Sequence, residues 1–278
     1  KPWRLRRISR PFGPEVVRVL GAVLEYAAAE TGRDLFPGVR EEARGVLDAV
    51  EPEELFWREK GLYGGAGGKV LVPDELFACW KLLRGKPRIR RHSGRPDKGN
   101  PANLMLRLRD YYGAGARADV MTYLLAESGG SSRGIAERIK YRQGRVYRVL
   151  EDLVGAGIAH KRGGRGSAFY WIDREVVAAS LGLADELPAF FVWGDVFLAF
   201  DLVISDRRKH EAEYADEFLA AERMRDLAAR VVPLLRNAGE ALYRLSFPDP
   251  RRLKGTEHAR ALTDFMQRAA DILRSHTV

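Results

Sequence analysis

The chain has 278 residues and a formal net charge of +9, and 46% of its residues are hydrophobic. This length suits two or three compact domains, and the hydrophobic content excludes a wholly disordered chain. Its one cysteine, Cys79, excludes a disulfide framework within one chain. No apolar run reaches the ~18 residues of a membrane span and no secretory signal follows the amino terminus, so a cytoplasmic protein without membrane contact is expected.

Positive charge is concentrated in three segments. Residues 1–10 hold five basic and no acidic side chains, residues 81–115 hold ten basic and two acidic ones, and residues 116–178 hold eleven and seven. The other segments are acidic or close to neutral. This distribution favours a protein that meets a polyanion with one part of its surface.

The first 85 residues combine a basic segment with helical patterns. Residues 1–11 hold Trp3 and five basic residues. They form either an arm that reaches phosphate or a minor groove, or a solvated tail anchored through Trp3. Apolar side chains recur at helical spacing between residues 14 and 85, which predicts packed helices. One such stripe contains Cys79, which we therefore expect to be a buried small hydrophobe.

Two further segments are predicted to be loops. Residues 61–70 are rich in glycine but lack the spacing of a phosphate-binding loop, because Val70 occupies the serine or threonine position; a turn or short hairpin is expected. Residues 85–100 combine proline, glycine and basic side chains, and form either a solvated connection or a contact with a nucleic-acid backbone. Asn100 and Pro101 then predict the N-cap and first turn of a helix.

Residues 131–171 hold the most informative pattern. A serine at 131 or 132 can cap a short helix, a break follows near residue 140, and a longer helix then ends in a glycine-rich segment. Apolar positions spaced by three and four place one face of each helix in a core: Ile135, Ala136, Ile139, Val146, Val149, Leu150 and Leu153. Residues 158–162 and 167–172, joined by a basic, glycine-rich tip, predict a β-hairpin. A helix over residues 117–127 precedes this pattern.

Two short helices, a turn and a basic hairpin predict a winged helix-turn-helix. The spacing resembles that of the MarR- and ArsR-type bacterial regulators over about residues 117–173. Ile-Ala-Glu-Arg-Ile at 135–139 stands where that pattern has Leu-Ala-x-x-Leu, and Gly157-Ile158 stands where it has a terminal Gly-hydrophobic pair. The resemblance implies a sequence-specific transcriptional regulator that binds double-stranded DNA, with the second helix in the major groove and the wing on the minor groove or backbone.

The side of the second helix opposite its apolar face is expected to meet DNA. Arginine there suits guanine or phosphate, and glutamine suits adenine. The predicted nucleic-acid-binding residues are Ser132, Arg133, Arg142, Gln143, Arg145, Tyr147 and Arg148 on the helices and Lys161, Arg162 and Arg165 on the wing. Ordinary solvated helix and hairpin positions are the alternative interpretation.

The chain after residue 173 is predicted to be helical. Residues 189–204 are its most apolar segment, residues 211–245 predict a long helical region broken near Pro233, and residues 256–275 predict an amphipathic helix. We expect this region either to form a homodimer, because winged helices usually bind palindromes as dimers, or to sense a small-molecule effector near residues 190–200.

No catalytic or metal-binding constellation emerges from the sequence. The five histidines are scattered without partners at ligand spacing, and no nucleophile motif occurs. We therefore expect no enzyme activity, no cofactor and no bound metal.

These patterns together predict a mainly α protein: a winged helix-turn-helix with a small β-hairpin wing, flanked by helical regions on both sides. The expected domains are a helical region with a basic arm and linker (1–110), the DNA-binding domain (111–178) and a helical domain for dimerisation or sensing (179–278). The alternative function is a protein-interaction module, such as an antitoxin or a complex subunit, that uses the winged helix as a binding platform.

Overall fold

The computed structural model describes residues 2–34, 36–54, 73–87, 94, 96–164, 167–183 and 187–275. These residues are mainly helical and include two small β-sheets. Backbone contacts divide the chain into two compact units, Lys1–Gly94 and Arg95–Val278. The glycine-rich segment 61–70 and Arg165 of the predicted wing lie outside the described residues.

The first unit is built around a buried tryptophan. Its elements are α1 (Pro2–Ser9), α2 (Pro14–Thr31), α3 (Pro37–Arg44), β1 (Glu53–Glu54), α4 (Glu75–Ala78) and β2 (Leu82–Leu83), with β1 and β2 parallel. Trp80 is fully buried, and its Nε1 donates to Glu25 Oε2 at 2.8 Å. A Cβ at Gly21 would lie 2.2 Å from the Trp80 ring. Only glycine therefore lets α2 approach the ring so closely.

A buried cation joins α2 to the two strands. Arg18 is 2% exposed. Its Nη1 donates to the carbonyl oxygens of Glu51 at 2.5 Å and Lys81 at 3.0 Å, and its Nη2 lies 2.5 Å from the Glu53 carboxylate. These acceptors offset the cost of removing the guanidinium from water. Arg18 thus holds together three segments that are distant in sequence.

Two predictions for this unit were wrong. Residues 2–9 form helix α1, which packs on α3 through an ion pair between Arg6 and Glu42 at 2.8 Å, rather than an arm or a solvated tail. Cys79 is exposed. The buried side of its turn is formed by Phe77 and Trp80, three residues apart, which leaves the intervening position outside the core.

The second unit contains the remaining elements. They are α5 (Leu104–Tyr112), α6 (Ala116–Ala126), β3 (Gly130–Ser131), α7 (Ser132–Arg138), α8 (Gln143–Gly155), β4 (His160–Arg162), β5 (Phe169–Trp171), α9 (Arg174–Ser180), α10 (Trp193–Lys209), α11 (Glu217–Ala238), α12 (Glu240–Tyr243) and α13 (Glu257–Ser275). The predicted N-cap is confirmed, because Asn100 Oδ1 accepts a hydrogen bond from the Ala102 amide at 2.8 Å. It caps a short 3₁₀ turn, Pro101–Asn103, that leads into α5.

Helix α6 lies at the centre of the first half of this unit. It contacts α5, α8 and α9 and is buried along most of its length. Its Asp119 is 1% exposed and pairs with Arg109 of α5 at 3.0 Å. A buried carboxylate is costly unless it is paired, so this contact fixes α5 on α6. Helix α5, assigned from the sequence to the first region, therefore packs within the second unit.

A three-stranded antiparallel sheet lies beside α7 and α8, with the strand order β3-β5-β4. The hairpin strands β4 and β5 were predicted, whereas β3 was not. Gly129 precedes β3 with φ +116°, and a Cβ there would lie 2.4 Å from the carbonyl oxygen of Tyr170. Glycine at this position thus permits close pairing of β3 with β5.

The second half of the unit is a helical bundle. Helix α11 packs on α10 and α13, and the cluster between them includes Phe191, Val196, Ala199, Leu227, Val231, Leu235, Leu262 and Phe265. The predicted break at Pro233 is wrong, because α11 continues through it. Pro233 is exposed while Val232 and Leu235 are buried. Packing of the buried side compensates for the hydrogen bond that proline removes.

None of the helices in the described ranges has both the length and the apolar character needed to cross a bilayer.

Candidate nucleic-acid interface

The structure brings the amino ends of α7 and α8 together. Ser131 is the N-cap of α7, and its Oγ accepts a hydrogen bond from the Gly134 amide at 3.1 Å. Gln143, the first residue of α8, places its Nε2 3.4 Å from Ser132 Oγ. The amino end of a helix carries the positive end of its dipole, which attracts anions. Two such helix ends therefore lie side by side at one surface.

The turn between α7 and α8 has a defined geometry. Lys140 adopts the left-handed conformation with φ +56°, which is uncommon for a residue with a side chain. The next residue, Tyr141, is buried, and its amide donates to the carbonyl oxygen of Ala136 at 2.9 Å. Lys140 Nζ also lies 3.1 Å from Asp195 Oδ1 on α10. The turn is thus fixed both locally and by the helical bundle.

Helix α8 has one buried and one exposed side. The buried residues are Val146, Val149, Leu150 and Leu153. Arg142, Gln143, Arg145, Tyr147 and Arg148 are all exposed, as the sequence predicted for a surface that meets DNA. Arg148 Nε donates to the carbonyl oxygen of Gly144 at 3.2 Å, which orients its guanidinium along the helix. The exposed side of α8 is therefore cationic over its first two turns.

Two other predicted residues lie on α7. Arg133 is exposed and pairs with Glu137 one turn later at 3.1 Å, while Ser132 is half-buried next to Gln143. An exposed ion pair of this kind is weak, and a phosphate can replace the Glu137 carboxylate as the partner of Arg133.

The hairpin β4–β5 is fastened to α8 by one carboxylate. Glu151 Oε1 accepts hydrogen bonds from Lys161 Nζ at 2.8 Å and from Tyr170 OH at 2.6 Å. These bonds lower the pKa of Glu151. The same contact raises the pKa of Lys161, and burial raises the pKa of Tyr170. The three side chains stay in their hydrogen-bonding protonation states through neutral pH.

The predicted wing residues are placed differently from one another. Lys161 forms an ion pair with Glu151, and its ammonium group lies 5.7 Å from the centre of the Tyr170 ring. Arg162 is exposed at the end of β4, and Arg165 lies outside the described residues. Arg162 is thus the described wing residue best placed to meet a phosphate.

Sequence reasoning did not single out Glu151 or Tyr170 as functional positions. Both act through contacts that join residues ten and nineteen positions apart. A further contact, His160 Nε2 to Asp173 Oδ2 at 2.9 Å, joins the start of β4 to the residue before α9. No local spacing signals such pairs, so only the folded chain reveals them.

The helices behind this surface are joined by buried polar contacts. Arg174 Nε donates to the carbonyl oxygen of Leu125 at 2.7 Å. Glu127 is buried, accepts from the Glu240 amide at 3.4 Å and lies 3.4 Å from Arg138. Burial raises the pKa of Glu127. These contacts hold α6, α7, α9 and α12 in one arrangement.

Comparisons with known proteins give no family assignment, since no family model, curated protein or solved structure matches the chain.

Proposed function

We propose that residues 116–172 form a winged helix-turn-helix and that the chain is a transcriptional regulator that binds double-stranded DNA sequence-specifically. The order helix, strand, helix, turn, helix and hairpin supports the first part. The second part depends on one observation: α8 buries its apolar side and exposes Arg142, Gln143, Arg145 and Arg148 on the other. A helix that presents a cationic side to solvent suits the major groove.

In this proposal the two helices and the hairpin have separate roles. The amino-terminal turn of α8 enters the major groove, where Gln143 and the arginines contact base edges or phosphates. Ser132 and Arg133, at the start of α7, hold a phosphate of the adjacent backbone. Arg162 contacts a phosphate or the minor groove from the wing, and Glu151 sets the position of that wing against α8.

The experiment is a random-sequence selection with the purified full chain, followed by fluorescence anisotropy on the enriched duplex. We expect enrichment of a defined site and an affinity that falls steeply between about 50 and 200 mM salt. Enrichment of no sequence, together with salt-independent binding, would contradict the proposal. The same selection shows whether the site is palindromic.

A second candidate is a protein-interaction module, and one feature of α10 favours it. Trp193, Phe197 and Ile204 are exposed at helical spacing, and the first two rings lie 5.8 Å apart. An exposed apolar stripe is typical of a protein contact. Such binding would vary little with salt, which separates the two candidates experimentally.

We also propose that the chain forms a homodimer, because a twofold pair of recognition helices would bind the two half-sites of a palindromic DNA site. Sedimentation equilibrium of the full chain without DNA tests it. A purely monomeric protein at micromolar concentration would contradict it.

A further inference from the structure

A cavity of about 820 Å³ opens between α5, α9 and the turn that joins α8 to β4. Its walls include Leu104 and Leu108, which are fully buried on α5. Its rim includes Tyr111, which is 73% exposed, and Val176, which is 69% exposed. Pockets of about 300–1,000 Å³ with apolar walls are typical of small-molecule sites. The cavity is therefore large enough for a ligand and open enough for its entry.

The charged side chains that line the cavity already have hydrogen-bond or ion-pair partners. Arg107 donates to the carbonyl oxygens of Leu181 and Gly182. Asp110 pairs with Lys98, and Asp173 pairs with His160. A charged ligand would therefore lose its hydration and would have to compete with contacts that these charged groups already make within the protein.

Aromatic side chains narrow the class of ligand further. Tyr111 and Tyr112 line the cavity with their rings 4.8 Å apart in an edge-to-face arrangement. Aromatic rings offer planar contact area to other rings. The lining therefore fits an uncharged, largely apolar molecule with an aromatic ring system.

The cavity shares its wall with the base of the hairpin. Gly157, Ile158 and His160 line it, and they form the segment that leads from α8 into β4. The His160 ring stacks on Trp171 of β5 at 5.5 Å. The next residue, Lys161, is held by Glu151. A molecule in the cavity would contact the segment that connects α8 to the β4–β5 hairpin.

We propose that this cavity binds an uncharged aromatic small molecule and that the bound molecule changes the position of the β4–β5 hairpin. The first half of the proposal is independent of DNA. The consequence of the second half, a change in DNA affinity, rests on the proposed function. Within the segment 190–200, which the sequence suggested as a sensor region, Phe191, Val196 and Ala199 belong to the packed core.

Binding is tested with the uncharged dye Nile red and the full chain, followed by dye fluorescence. Val177 lines the cavity and is half-buried, so Val177→Trp should fill it and weaken dye binding about tenfold or more. Val23→Trp, the same change at an exposed position of α2, should bind as the wild type does. The anionic dye 1-anilinonaphthalene-8-sulfonate should bind more weakly than Nile red.

Two further variants keep the test decisive. If Val177→Trp does not fold, Tyr111→Ser at the exposed rim should still weaken dye binding several-fold. Phe197→Ser removes an exposed ring from α10 and should leave dye binding unchanged. Loss of binding in Phe197→Ser, or wild-type binding in folded Val177→Trp and in Tyr111→Ser, would overturn the cavity site.

Coupling to the hairpin is tested first without DNA, by hydrogen exchange of residues 158–172. Dye should change the exchange of this segment in the wild type and leave it unchanged in Val177→Trp. With DNA, saturating dye should change duplex affinity about fivefold or more. Failure of every form to bind DNA would contradict the proposed function alone, whereas unchanged hydrogen exchange in the dye-saturated protein would overturn the coupling.

Discussion

Lys161 Nζ on β4 lies 2.8 Å from Glu151 Oε1 on α8, and the two side chains join the β4–β5 hairpin to the proposed recognition helix. Tyr170 of β5, which is 1% exposed, donates its hydroxyl to the same oxygen at 2.6 Å. One carboxylate thus contacts both strands of the hairpin. The hairpin position relative to α8 therefore depends on a residue that need not itself touch DNA.

Removal of this carboxylate should destabilise the protein measurably. Glu151→Ala leaves the buried Tyr170 hydroxyl without an acceptor, which should lower the free energy of unfolding by about 1–3 kcal/mol. Urea denaturation followed by circular dichroism measures the loss. The matched control is Glu137→Ala on α7, whose exposed pair with Arg133 should contribute only about 0.3–0.5 kcal/mol. Equal losses in the two variants would contradict the role of Glu151.

The same contact predicts a pH dependence. Hydrogen bonds from Lys161 and Tyr170 lower the pKa of Glu151 below its ordinary value of 4.5. The carboxylate therefore contributes its stability at pH values above 4.5 and loses it as the pH falls through the lower folded-state pKa. Wild type and Glu151→Gln should differ by a constant amount from pH 5 to 7 and converge in stronger acid, as measured by urea midpoints. A difference that grows on acidification would contradict the assignment.

Base preference should change when the exposed side of α8 is altered. Gln143→Ala and Arg148→Ala should each change discrimination at one or two base pairs by about 1–3 kcal/mol, because each removes a possible base-edge contact. Both residues are exposed, so the melting temperature should stay close to that of the wild type. Selection and anisotropy measure the preference. The control is Arg225→Ala on α11, which should keep the base preference of the wild type. An unaltered base preference in both α8 variants would exclude α8 as the recognition helix.

The wing should contribute affinity without base preference. Arg162→Ala should weaken binding to all duplexes and reduce the slope of log affinity against log salt by about 1, because one phosphate contact is lost. Replacing Lys161, Arg162 and Arg165 together should flatten the slope further. Arg252→Ala, at an exposed position after α12, should leave the slope unchanged. If the triple variant has the same slope of log affinity against log salt as the wild type, the assignment of the hairpin as a DNA-binding wing is contradicted.

The first unit should depend on its buried arginine. Arg18→Met leaves the carbonyl oxygens of Glu51 and Lys81 without their donor, so unfolding should become easier by at least about 2 kcal/mol. Arg40→Met, which breaks a partly exposed pair with Asp34, should cost less than about 1 kcal/mol. Thermal and urea unfolding of both variants provide the comparison. A smaller loss for Arg18→Met than for Arg40→Met would contradict its role.

Local periodicity was sufficient to predict α7, α8 and the hairpin. All seven apolar positions assigned to the core of the two helices are buried, because side chains three and four apart share a helix face. The exposed residues of α8 follow from the same geometry. The exposed residues of the candidate interface were therefore predictable, because identifying the buried face of α8 also identifies its exposed face.

The remaining features required contacts that no local pattern carries. β3 has only two residues, too few for an alternating pattern, and it forms through pairing with β5 across about 40 positions of sequence. Pro233 is typical of a helix end, yet α11 continues past it because α11 packs on α10 and α13. Helix α1 has a proline at its first position but only eight residues, and its packing on α3 is a contact that the local sequence does not reveal.

The contacts between residues 116–172 and the part of the chain after residue 187 determine how the protein can be divided into fragments. Lys140 pairs with Asp195, Glu127 accepts from the Glu240 amide, and the Tyr123 ring meets Phe190 at 5.2 Å. A fragment that stopped at residue 178 would remove one contact from each of these three places: the buried Glu127, the turn at Lys140 and the Tyr123 ring. Functional assays on this protein should therefore retain the carboxy-terminal helices. A truncated fragment could fail to bind DNA because these stabilising contacts are lost, even if the full chain has a DNA-binding surface.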